Sequence, residues 1–191
     1  MSTTFREASF NNAELIYGIL KYSSPSNTKV AKNAIKTVID YHNDDYGVVQ
    51  SDLNHWRRSA EYWSRGLVAK WRIAENKGIS WSVFCSSTHK DGIKIIAEHP
   101  VPKAVIYDLC VNAFNDVDGH SNATIEIANV LFSYCRQALI LKEEDNLLNE
   151  AKLTSSMPED WDGKNIFARY DAVNLTKELV RNPLGFKCNI G

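Results

Sequence analysis

The segment AVIYDLCV, residues 104 to 111, constrains the fold of this chain more than any other. Read as a strand, it places Val105, Tyr107, Leu109 and Val111 on one face and Ala104, Ile106 and Cys110 on the other. Both faces are largely apolar, and a strand of that kind needs a covering layer on each side. The expectation is an α/β (α+β) fold, with a mixed central sheet flanked by helices on both faces. Asp108 is the one charged interruption.

The flanking segments fit this frame. ISWSVFCSS and IKIIAEH alternate on either side of the turn THKDG and predict a hairpin. NATIEIANVLFSYCRQ has helical spacing, with Ile125, Ala128, Phe132 and Cys135 as its packing face, and ALILK is short enough to be a parallel strand after a crossover. Upstream, TTFREAS reads as a short first strand, followed by a helix that Asn11 or Asn12 caps and that carries Leu15, Ile16, Ile19 and Leu20. TKVAKNAIKTVIDYH is a second helix with Val30, Ala34, Val38 and Tyr41 on one face.

Residues 51–78 read as one long amphipathic helix, because Leu53, Trp56, Ala60, Trp63, Leu67 and Trp71 recur at steps of three or four. Ser51 or Asp52 would cap its start and Gly78 its exit. The tryptophan stripe admits two readings: a face packed on the sheet, or a base-stacking surface interleaved with Arg57, Arg58 and Arg65. After ALILK a short helix leads into a polar loop. NIFARYDAVNLTKELVRN then reads as helical, and FKCNI as a final strand.

A length of 191 residues favours a single domain spanning 1–191. Hydrophobic residues make up 44% of the chain, enough to offset chain entropy in a packed core. The 22 basic and 23 acidic residues nearly balance, so total charge gives no reason to expect a nucleic-acid or membrane partner, although a neutral total can hide a local patch. The first twenty residues lack the basic and apolar regions of a secretory signal, and no 18-residue apolar run occurs. A cytoplasmic protein without a membrane partner is expected. Cys85, Cys110, Cys135 and Cys188 show no CxxC spacing and read as reduced thiols. Histidines 42, 55, 89, 99 and 120 show no metal-ligand spacing, so no metal site is expected.

The stretch DLCVNAFNDVDGHS, residues 108 to 121, resembles the signature of the GNAT superfamily of acyl-CoA N-acyltransferases. In that family an Asp-Leu-x-Val strand leads, after about five residues, into Arg/Gln-x-x-Gly-x-Gly/Ala and a helix. Asp108, Leu109 and Val111 match the strand, Gly119 the central glycine and Ser121 the small final position. Asp116 stands where the family has Arg or Gln. The opening FREASFNNAELI and the late PLGFK are also similar to family elements.

The resemblance implies a GNAT-like fold and transfer of an acetyl or acyl group from acyl-coenzyme A to an amine of an unidentified acceptor. It implies acetyl-coenzyme A or another acyl-coenzyme A as co-substrate. The strand backbone at Leu109, Cys110 and Val111 would hold the pantetheine arm and acyl carbonyl. The amides of Val117, Asp118, Gly119, His120, Ser121 and Asn122 would hold the pyrophosphate, since N–H groups at a helix start have no internal partner. Asp108 would be the catalytic base, tuned by burial. A homodimer follows from the resemblance alone.

Two departures favour a rival. Asp116 and Asp118 would set negative charge beside a pyrophosphate, and a like-charge contact at ~4 Å costs about 4 kcal/mol at an effective dielectric of 20. Counting back four residues from Gly185 to the family's proton-donating tyrosine reaches Arg181 instead. The rival is a non-catalytic binding or inhibitory protein of the same fold, using the Trp/Arg helix to engage a protein or nucleic acid. A third reading is a GNAT-like enzyme with another donor, including one that modifies nucleic acid.

Overall fold

The structure is a computed structural model that describes residues 5–24, 27–46, 60–86, 90 and 92–183. In chain order these form α1 (Phe5–Tyr22), α2 (Thr28–Tyr46), β1 (Tyr62–Ser64), α3 (Arg65–Asn76), α4 (Trp81–Phe84), β2 (Ile95–Glu98), α5 (Lys103–Asn115), α6 (His120–Tyr134), β3 (Ala138–Leu141), α7 (Lys142–Glu150), α8 (Ala168–Asp171), a 3-10 turn (Thr176–Glu178) and β4 (Leu179–Arg181). The class is mixed α/β. The chain divides into two compact units, one from the described parts of Met1–Val48 and Val101–Arg136, the other from those of Val49–Pro100 and Gln137–Phe186.

The first unit is helical, and it corrects the reading of residues 104–111. They lie within α5, not on a strand. Asp108 and Asn112 are exposed, while Ile106 and Cys110 are fully buried. Both pairs are four residues apart, which is the repeat of a helix face. A helix with a narrow polar stripe satisfies the same apolar composition that a doubly covered strand would, and a short apolar run does not separate the two. Residues 5 to 9, expected on a first strand, likewise belong to α1. Asn12 is not a cap but a buried mid-helix side chain, whose Nδ2 donates to His42 Nδ1 at 3.0 Å.

The packing faces of this unit are also rotated from those expected. On α2 the buried residues include Ala31, Ile35, Ile39 and His42, while Val30 and Tyr41 are 68% and 62% exposed. On α6 the buried face is Ala123, Thr124, Ile127 and Leu131, with Ile125 exposed. Leu15 on α1 is exposed and Ile16 buried. Each helix carries more apolar residues than one face can bury, so periodicity fixed the helix but not its orientation.

The second unit contains a four-stranded sheet in the order β2-β3-β1-β4. β1 runs parallel to β3, whereas β2–β3 and β1–β4 are antiparallel. The expected hairpin is absent among the described residues: Trp81–Phe84 is the helix α4, and β2 pairs with β3 instead. All four residues of β3 are buried. Leu139 and Leu141 join a core with Trp63, Leu67, Trp71, Trp81 and Phe84, while Ala138 and Ile140 join a second with Leu148, Tyr170 and Leu175. β3 is thus the doubly covered strand of this protein.

The expected long helix over 51–78 is split. Residues 51–59, with Trp56, Arg57, Arg58 and the proposed caps Ser51 and Asp52, lie outside the described residues. Trp63 sits on β1, and α3 starts only at Arg65, where Ser64 Oγ accepts from Leu67 N–H at 3.1 Å. Of the stripe's tryptophans, the described Trp63 and Trp71 pack inward. Trp63 stacks on Trp81 with ring centroids 4.8 Å apart, and Trp71 meets Trp81 edge-on at 5.0 Å. Gly66 lets α3 approach the start of α7, since a Cβ there would lie 3.0 Å from Glu144 Oε1 and 3.1 Å from Leu141 Cδ1. The expected late helix is reduced to α8 and the 3-10 turn before β4. FKCNI lies outside the described residues.

Candidate functional site: an arginine-lined groove and the turn before α6

α3 has two faces with separate tasks. Leu67, Trp71 and Ala74 are buried in the tryptophan core. Arg65, Val68, Ala69 and Arg72, spaced at zero, three, four and seven residues, line a surface groove with Val180, Arg181 and Pro183 from the end of the sheet. The groove has a volume of about 380 Å³. Its floor is apolar and its charged lining consists of three arginines.

The three guanidiniums differ in their partners. Arg65 Nε donates to Lys177 O at 3.3 Å, which anchors the side chain and leaves its terminal nitrogens open. Arg181 lies 3.5 Å from the buried Glu61 carboxylate with its own side chain 72% exposed, a loose contact in solvent. Arg72 is exposed and its side chain meets no acceptor among the described residues. Arginine cannot be neutralised near pH 7, and its planar fork matches carboxylate and phosphate oxygens. The groove can therefore hold an anion.

β4 frames one wall. Asn182 N–H donates to Glu61 O at 2.9 Å, and β4 pairs Trp63 with Val180 and Tyr62 with Arg181. Bonded and non-bonded pairs alternate along an antiparallel ladder, so Val180 and Asn182 face β1 while the main-chain groups of Leu179 and Arg181 face outward. β4 is an edge strand. The N–H of Leu179 is taken by Thr176 O.

The residues expected to form the coenzyme site are distributed as follows. Leu109, Cys110 and Val111 lie in the middle of α5, where their amides are committed to helical hydrogen bonds and no backbone splays open. Asp108 is exposed on that helix, so the burial required of the base is absent. Cys110 is fully buried, and burial pushes its thiol up from the ordinary 9.0 to about 12, which is opposite to what a nucleophile needs.

The residues expected to hold pyrophosphate lie between α5 and α6 and in the first turn of α6. Val117 and Asp118 lie in the bend between the helices, and Gly119, at φ 89°, is the N-cap of α6. His120, Ser121 and Asn122 form an exposed first turn without a capping side chain, and the first main-chain bond is Ala123 N–H to Gly119 O at 3.1 Å. The surroundings are acidic, however. Asp116 and Asp118 are exposed beside the turn, and His120 Nε2 contacts Glu14 Oε2 at 2.8 Å.

In the second unit a buried cluster was not anticipated from sequence. Arg169 donates to Pro100 O at 2.8 Å, Leu153 O at 2.9 Å, and also to His99 O and the Glu98 carboxylate. Every face of the guanidinium is occupied, so this cluster joins chain segments rather than presenting chemistry. Tyr170, next to Arg169 on α8, is fully buried.

Among the described residues no group of three or more His, Cys, Asp or Glu is placed to hold a metal ion, and no helix is long and apolar enough to cross a membrane. Comparisons with protein-family models, with curated proteins and with solved structures give no match for this chain. Arg72 and Arg181 were missed in sequence: Arg72 follows Arg65 by two turns of one helix, a legible signal, whereas Arg181 joins them only through sheet pairing.

Proposed function

We propose that this protein is a binding protein that takes an anionic partner in the groove lined by Arg65, Arg72 and Arg181. The observation that carries the reading is Arg72: an exposed arginine with no acceptor among the described residues, lining a groove with Arg65 and Arg181 whose other lining residues are apolar. Three fixed positive charges in one groove raise the local anion concentration even on a chain of net charge −1. Fluorescence anisotropy with fluorescein-labelled heparin as a generic polyanion tests it. Binding that weakens with salt and is lost in the variant carrying Arg65→Glu, Arg72→Glu and Arg181→Glu supports the groove; equal binding by that variant removes it.

A second reading, acyl transfer from acyl-coenzyme A to an amine, is favoured by one feature, the open amides of His120, Ser121 and Asn122 behind Gly119. A helix start of this kind suits a pyrophosphate. The reading has no support from Leu109 to Val111, whose backbone is helical, and Asp116, Asp118 and Glu14 oppose an anion there. Isothermal titration with acetyl-coenzyme A decides it: micromolar binding abolished by Gly119→Val restores the proposal, and no heat at millimolar ligand ends it.

A further inference from the structure

We infer that the partner of the arginine groove is an acidic polypeptide segment in extended conformation, added as a further strand to the outer edge of β4. This inference rests on the groove reading and specifies its ligand. It stands on three observations: the open edge, the chemistry of the floor and the charge of the rim.

The edge comes first. On β4 the N–H and C=O of Arg181 and the C=O of Leu179 point away from β1, and among the described residues nothing hydrogen-bonds to them. An incoming residue opposite Arg181 can form a bonded pair with it, donating to its carbonyl and accepting from its N–H. Main-chain pairing of this kind requires a peptide. It gives affinity with little demand on sequence.

Side-chain alternation then sets the pattern. Val180 packs toward the tryptophan core on the α3 side of the sheet, whereas Leu179 packs toward the opposite core. A residue opposite Arg181 shares its face and is expected to be Glu or Asp. Its two neighbours turn to the α3 side, toward Val68 and Ala69, and are expected to be small and aliphatic; the acidic residues two positions further out share that side and are the ones that meet Arg65 and Arg72.

The lining also weighs against a nucleic acid. Single strands are held by basic grooves together with aromatic rings on which bases stack. None of the residues lining this groove is aromatic, and Trp63, Trp71 and Trp81 are spent in the core.

The test uses the full chain and three labelled probes: the peptide Glu-Glu-Val-Glu-Val-Glu-Glu, the same peptide N-methylated at alternate residues, and an oligothymidylate of equal charge. The plain peptide is expected to bind best. N-methylation on the paired register removes donors and blocks close approach, and is expected to weaken binding about tenfold or more, as does Arg72→Glu, each removing one or two hydrogen bonds. If N-methylation has no effect while Arg72→Glu still does, the groove stands and strand addition falls. Oligothymidylate binding tighter than the peptide also overturns the inference. If Arg65→Glu and Arg72→Glu leave the peptide unaffected, the groove reading falls with it.

Discussion

The guanidinium of Arg169 is buried against the carboxylate of Glu98 where β2 ends, and the same side chain reaches the carbonyls of Pro100 and Leu153. One side chain thus fastens a strand end, the loop after α7 and its own helix α8. Removing it takes a charged donor away from a partly buried carboxylate and several carbonyls. Arg169→Met is expected to cost about 3–5 kcal/mol, and Arg169→Lys to recover little because an ammonium cannot span acceptors spread around a planar fork. Urea unfolding monitored by circular dichroism measures both, and a loss below 1 kcal/mol for Arg169→Met would refute the assignment.

Tyr170 gives a contrasting expectation. Its hydroxyl is buried with no hydrogen-bond partner among the described residues, and burial holds its pKa well above the ordinary phenol value. Tyr170→Phe removes only an unsatisfied polar atom. It is expected to be neutral or stabilising by up to about 1 kcal/mol in the same assay. A clear destabilisation would mean that the hydroxyl has a partner.

The two faces of α3 predict opposite outcomes. Trp71→Ala, on the buried face, opens a cavity beside the Trp81 and Phe84 rings and is expected to cost about 3–5 kcal/mol, with loss of near-ultraviolet circular dichroism. Arg72→Glu, on the exposed face, is expected to change stability by no more than about 0.5 kcal/mol. Comparable losses from both would contradict the division.

In the helical unit, His42 is fully buried with Asn12 Nδ2 donating to its Nδ1 at 3.0 Å and Ser9 Oγ 3.3 Å from Nε2. With Nδ1 accepting, Nε2 carries the proton and donates to Ser9. Asn12→Ala removes a buried hydrogen bond to His42 and is expected to cost about 1–3 kcal/mol. Thermal melts of Asn12→Ala and Ser9→Ala test this, the former expected to melt at lower temperature than wild type.

Cys110 and Cys135 are buried thiols, and burial raises both pKa values, with Cys110 pushed up to about 12; a charge on Cys110 raises Cys135 further. A folded pKa above the unfolded one means that the unfolded chain releases its thiol protons first. The stability these thiols contribute is complete below about pH 9 and lost as pH rises toward 12. Native-state iodoacetamide labelling at pH 8 should spare both, and unfolding should expose them. Rapid native labelling of either would show that it is accessible.

Periodicity revealed α2 and most of α6, and the short apolar run of ALILK revealed β3, because those signals depend on neighbours within a few residues. It misread residues 104–111 because a short apolar run suits a buried strand or a buried helix alike, and the deciding stripe of Asp108 and Asn112 is only two residues deep. The arginine groove was half legible: Arg65 was noted on an amphipathic helix. Its partner Arg181 lies more than a hundred residues later.

By itself the sequence determined which segments hold enough apolar surface to be buried, and that one glycine would turn the chain into a helix. Those properties are local, set by side-chain volume, polarity and backbone freedom. Only the tertiary structure decided which strand is covered on both faces, which side of each helix meets its neighbours, and that Arg65, Arg72 and Arg181 share one groove. Each of these depends on which distant segments pair, and pairing minimises the free energy of the whole chain rather than of any window in it.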